Sequence, residues 1–157
     1  MAVGLLPGPA PAAGAPVLRA AGVEVRFASP ADCEVTLRLD VAGAERVEHR
    51  LELLEGAAVE LVDVSGATAE PSTDIGRTRA LFVTPAAGGG SYRLRYRVVQ
   101  PASHPYRCPL WLPAVPTDGR SREVRISAVV PEGMSVSGGM PPFEWTGDRG
   151  QVALAHL

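Results

Sequence analysis

The chain has 157 residues, of which 46% are apolar, 20% charged and 5% aromatic, a size and composition that fit one globular domain able to bury a core. Its formal charge of −2, from 15 basic and 17 acidic residues, argues against wholesale nucleic-acid binding and against a polybasic membrane anchor. Every basic residue is Arg, and Lys and Asn are absent, so no Schiff-base lysine, phosphate-loop lysine or Asn-linked glycan can exist here.

Residues 1–18, MAVGLLPGPAPAAGAPVL, are apolar and uncharged, yet they carry Pro7, Pro9, Pro11 and Pro16, which no membrane-spanning helix tolerates together. A secretory signal begins with a basic patch, and here the first positive charge is Arg19. Residues 1–20 therefore read as a disordered Ala/Pro leader and 21–157 as a single domain. At the other end QVALAHL stops inside a candidate strand, as expected of a fragment of a longer, membrane-attached protein.

From residue 23 onward the dominant signal is alternation. Val23, Val25 and Phe27 alternate with Glu24 and Arg26, and Cys33, Val35, Leu37, Leu39 and Val41 alternate with Glu34, Thr36, Arg38 and Asp40. The same period runs through 46–54, where Val47, His49, Leu51 and Leu53 share one parity. Strands are also predicted over 58–64, 79–84 and 91–99, the last two joined as a hairpin across the Gly-rich PAAGGG. Asp118-Gly119 precedes REVRISAVV, Pro131-Glu132-Gly133 closes it, and short strands follow near 143–146 and 150–155. No capped amphipathic helix and no fixed-period repeat is found. The fold class is all-β, an antiparallel two-sheet sandwich of immunoglobulin-like kind.

Arg26, Arg38, Arg93, Arg95, Arg97 and Arg125 recur on the polar parity of these strands. They form either a mixed-charge solvent face, with Glu24, Glu34, Asp40, Glu48 and Glu52 paired across strands, or a phosphate-binding strip centred on YRLRYRV.

In PASHPYRCPLWLPAVP, residues 101–116, Pro101, Pro105, Pro109 and Pro113 recur every four residues. If the segment is extended, all four lack an N–H on the same side, which describes an edge strand protected against pairing. The opposite parity, from Ala102, His104, Tyr106 and Cys108 to Leu110, Leu112 and Ala114, would face the core. Trp111 then looks outward, either packed under a loop or serving as the anchor of a partner-binding surface. In the second case Arg107, Arg93, Arg95 and Arg97 would form its polar rim.

Cys33 and Cys108 both fall on core-facing parities, 75 positions apart. They read as an inter-sheet disulfide if the domain is exported, or as buried thiols in a reducing compartment. His104 and Cys108 are four apart, which on a strand separates them by about 13 Å, too far for one ion. No His follows Cys108 until His156, so neither these residues nor Met134 or Met140 make a copper site. His49, on an apolar parity, reads either as a hydrogen-bonded core residue or as a sign that its strand is misread. No G-x-S-x-G, H-E-x-x-H or C-x-x-C occurs. No catalytic residue, metal or cofactor is expected.

The succession SYRLRYRVV, LWLPAVP and REVRISAVVPEGM, within residues 91–134, resembles β-sandwich ectodomains of uncharacterised bacterial membrane proteins. It is similar, more loosely, to the N-terminal sandwich of zinc aminopeptidases, whose zinc motif and catalytic helix this chain lacks. The resemblance implies an accessory or ectodomain role. The expected function is a non-catalytic, extracytoplasmic interaction or spacer domain, whose partner is another protein or the remainder of a longer chain, with no nucleic acid and no direct membrane insertion. The alternative is a small ligand-binding or hydrolytic sandwich using the loop residues Asp74, Arg77, His104 and Arg107.

Overall fold

A computed structural model of the chain describes residues 16–86, 90–116, 124–131, 144–146 and 152–156. In chain order its strands are β1 (Val17–Ser29), β2 (Asp32–Ala42), β3 (Val47–Glu52), β4 (Ala58–Ser65), β5 (Ala67–Pro71) and β6 (Thr78–Pro85), then β7 (Gly90–Val99), β8 (Leu112–Pro113), β9 (Val124–Val129), β10 (Glu144–Thr146) and β11 (Val152–His156). One sheet runs β10-β11-β9-β1-β2-β7-β4 and the other β5-β6-β3-β8. The two pack face to face as an all-β sandwich. Among the described residues, no helix is long and apolar enough to cross a membrane.

Period-two patterning explains the packing. Along β7 the inward residues Tyr92, Leu94, Tyr96 and Val98 are buried while Arg93, Arg95 and Arg97 point out, and β2 presents Cys33, Val35, Leu37, Leu39 and Val41 to the same core. Facing them from the smaller sheet are Val47, His49 and Leu51 of β3 with Leu81 and Val83 of β6. Each chain segment thus buries one face only, which two stacked sheets satisfy and a single open sheet does not.

Four expectations are corrected. Residues 17–20, assigned to the leader, belong to β1, where Leu18 and Ala20 pair with Val41 and Asp40. The hairpin expected across PAAGGG does not form, because β6 pairs with β3 and β5 while β7 pairs with β2 and β4. Both strands are one-sided, and a Gly-rich link is long enough to carry the chain across the roughly 10 Å between sheets. The sheets are antiparallel except that β9 lies parallel to β1, Val23 aligning with Ile126. Finally, the extended edge strand expected over 101–116 shrinks to β8, which pairs His49 with Pro113 and Arg50 with Leu112 at the edge of the smaller sheet.

One transition between sheets depends on glycine. Gly66 separates β4 from β5 with φ +78°, and a Cβ there would lie 2.8 Å from the Ser91 carbonyl oxygen. Only a residue without a side chain lets the chain change sheets so close to β7. The Asp118-Gly119 turn, most of the Pro131-Glu132-Gly133 turn, Met134, Met140 and residues 1–15 lie outside the described residues.

Candidate functional site

Residues 101–116 form a strap across one end of the sandwich. Its first half turns twice: His104 N–H donates to the Pro101 carbonyl at 3.0 Å, and Tyr106, with φ +58°, donates its N–H to the Pro30 carbonyl at 2.6 Å. The Tyr106 ring meets Phe27 edge-on, centroids 5.5 Å apart. These turns shift the phase of everything after them. Trp111, expected to face outward, is only 5% exposed, whereas Leu112, expected in the core, is 57% exposed.

Trp111 sits at the centre of the buried polar groups. Its N–H donates to the Tyr96 hydroxyl at 3.0 Å, and its ring packs edge-on against Tyr96 at 5.1 Å. Its carbonyl accepts from Nδ1 of His49 at 3.0 Å, and Nε2 of His49 accepts from the Tyr92 hydroxyl at 2.8 Å. A carbonyl can only accept, so the imidazole carries its proton on Nδ1 and both ring nitrogens are committed. Burial pushes the His49 pKa below its ordinary value, with the Trp111 carbonyl opposing in part. Burial likewise pushes Tyr92 and Tyr96 upward, keeping both hydroxyls protonated.

Cys33, on β2, and Cys108, in the strap, come together beneath this network as free thiols. The expected disulfide is therefore not formed in this structure. The two thiols are near neighbours without a bond between them, and the Cys108 thiol donates to the Pro109 carbonyl at 3.9 Å. Contact with Cys108 lowers the Cys33 pKa against the opposing effect of burial. Cys108 holds its own proton more tightly, through the same contact and its burial.

The proposed aromatic anchor and its Arg rim are not brought together. Arg93, Arg95 and Arg97 project from the outer face of β7, the opposite side from Tyr96 and Trp111. Each is occupied there: Arg93 pairs with Asp63 at 3.0 Å, Arg95 with Glu34 at 3.5 Å, and Arg97 with both oxygens of Asp32. The guanidinium of Arg97 holds the Asp32 carboxyl below its usual range. Of the loop candidates, Asp74 pairs with Arg79 at 3.2 Å, the Arg77 carbonyl accepts from Leu53 N–H at 2.9 Å, and exposed His104 bonds Ser103 Oγ at 2.9 Å.

Arg107 has a different setting. It lines a cleft of about 270 Å³ at the same end of the sandwich, with Glu52, Leu54, Gln100, Cys108 and Pro109. Gln100 is 4% exposed, and neither its amide nitrogen nor its amide oxygen has a hydrogen-bond partner. Sequence reading passed over it, although a signal existed: after Tyr92, Leu94, Tyr96 and Val98, residue 100 is the next inward position, and it is polar. Among the described residues, no three His, Cys, Asp or Glu side chains gather as a metal site.

No family model matches this sequence, and no curated protein matches it. Solved structures similar to it include an M1 zinc metallopeptidase from Deinococcus radiodurans, at 16% identity and TM-score 0.47, covering 90% of this chain and 39% of that one. Yeast LTA4 hydrolase in complex with bestatin is similar at 12% identity and TM-score 0.48, covering 96% of this chain and 29% of that one. The chain thus spans well under half the length of these structures.

Proposed function

We propose that this chain is a non-catalytic interaction or spacer domain of a longer protein, working outside the cytoplasm. One observation carries the reading: among the described residues, the buried histidine and the two buried tyrosines are consumed by folding. His49 spends one ring nitrogen on the Trp111 carbonyl and the other on Tyr92, and the Tyr96 hydroxyl holds the Trp111 N–H. A general base needs a free nitrogen within reach of substrate, and His49 has neither the nitrogen nor the access. The outer face of β7 supports the same reading, because its arginines are matched by carboxylates and present a solvated, mixed-charge surface.

An extracytoplasmic setting gives the cysteine pair a use. Two thiols already in contact become a bridge between β2 and the strap once the compartment is oxidising. The test is turnover: the purified chain, with and without added zinc, should hydrolyse ester and peptide substrates no faster than buffer. Saturable hydrolysis that disappears in His49→Gln, with the circular dichroism spectrum unchanged, would overturn the reading.

A further inference from the structure

On the outer face of the larger sheet, strand register sorts the side chains into rows that cross β1, β2, β7 and β4. One row reads Arg26, Glu34, Arg97 and Glu60, a strict alternation of charge, and the next reads Glu24, Thr36, Arg95 and Asp63, with a carboxylate at each end. The third row breaks the pattern. It reads Gly22, Arg38, Arg93 and Ser65, so two arginines stand directly opposite each other on neighbouring strands with no carboxylate in their row. Directly opposed residues hold their Cβ atoms about 4.5–5.5 Å apart, and like charges so placed repel. Each arginine borrows a carboxylate from the adjacent row and keeps donors to spare. Arg93 reaches Asp63 through one terminal nitrogen at 3.0 Å, and Arg38 meets Glu24 at only 3.9 Å, while the other oxygen of Glu24 accepts from Arg26 Nε at 2.5 Å.

We infer that Arg38 and Arg93 together bind the phosphate group of a small ester free in solution. Their side chains are open to water, 59% and 45% exposed, and both line one depression of about 630 Å³ on this face. Two guanidinium groups on neighbouring strands can each turn a fork of N–H donors toward one tetrahedral anion, whose charge cancels their repulsion. Ser65 and Ser91 line the same depression and add hydroxyl donors beside Arg93, and Asp40, two residues from Arg38, offers an acceptor for a hydroxyl of the ester. Among the described residues, no exposed large apolar side chain lines the depression to enter a bilayer, which favours a soluble ester over a lipid headgroup. The pair crosses strands and is not a strip along β7, because Arg95 and Arg97 sit in rows that supply their own carboxylates. The inference goes beyond the reading as an interaction or spacer domain and stands without it.

The test is an amide-proton NMR titration of the full chain with glycerol 3-phosphate near neutral pH, where the phosphate is close to doubly charged, at an ionic strength held constant with sodium chloride. Saturable shifts are expected at the backbone amides of Arg38, Ser65, Ser91 and Arg93, and none of that size with glycerol. Arg38→Gln and Arg93→Gln, both at exposed side chains, should each weaken binding about tenfold, the loss of one charge-assisted contact. Arg97→Gln removes the same charge from the alternating row and should change the affinity by less than about twofold, since charges beyond the contact are screened. Absence of saturable shifts, unchanged binding in Arg38→Gln and Arg93→Gln, or an equal loss in Arg97→Gln, which would mean net charge alone, would overturn the inference. So would binding to phosphatidate-containing vesicles with none to glycerol 3-phosphate.

Discussion

Trp111 shows how one residue can be misread when the segment before it changes direction. Parity counted along an unbroken strand sends it to solvent; two turns in 101–106 reverse the count, and its indole lies against Tyr96 instead. Its Nε1 is buried without a partner, so the side chain contributes through area and ring packing, with its backbone supplying the polar contacts. Truncation should therefore be expensive. Trp111→Ala is expected to lose roughly 3–5 kcal/mol of stability, the range for a large buried aromatic, measured by urea denaturation at neutral pH. A variant melting like the parent would place Trp111 at an interface. His49, by contrast, was legible from sequence, because a lone His on an apolar parity with aromatic residues elsewhere in the core usually finds partners, as it does here in Trp111 and Tyr92.

At the scale of elements, strands with clean alternation were legible and their partners were not. β2, β3 and β7 lie where period two put them, since each buries one face regardless of neighbour, and β9 lies in the segment that turn residues bracketed. Which strand pairs with which depends on long-range packing, and that is why the Gly-rich link before β7 was taken for a hairpin turn when it carries the chain to the other sheet. β5 is short and ends at Pro71, too brief to announce itself. The cleft was illegible for a related reason: Glu52, Gln100 and Arg107 converge only because three backbone segments end together. Two outcomes belong to this scale. Gly66→Ala should cost about 1–3 kcal/mol, because it forces an alanine into a left-handed conformation and against the Ser91 carbonyl. Oxidising the Cys33–Cys108 pair should tie the strap to β2 across 75 residues, worth roughly 4 kcal/mol in the chain-entropy account and on the order of 10 °C in melting temperature. Thiol titration of the denatured protein should then find no free thiol, and Cys33→Ser/Cys108→Ser should lose the oxidant's effect; an oxidised protein that melts no higher than the reduced one would show a strained bridge.

For the whole molecule, the buried histidine sets a pH dependence. In the unfolded chain His49 takes up a proton near its ordinary pKa of 6.5, while in the fold burial keeps it neutral to lower pH. Below pH 6.5 the unfolded state therefore binds more protons than the folded state, so stability contributed by neutral His49 is complete above that pH and is lost as pH falls toward the folded value. Denaturation midpoints should decline from pH 7 to pH 5, and His49→Gln should flatten that part of the decline. The account of the molecule as a scaffold, with its buried polar groups spent on holding the strap to the sandwich, rests most heavily on the state of this one ring. An NMR titration of the His49 imidazole tests it directly. The ring should remain neutral, protonated on Nδ1, with its midpoint well below 6.5; a midpoint at or above 6.5 would mean an imidazole open to water and available for chemistry, which contradicts the account.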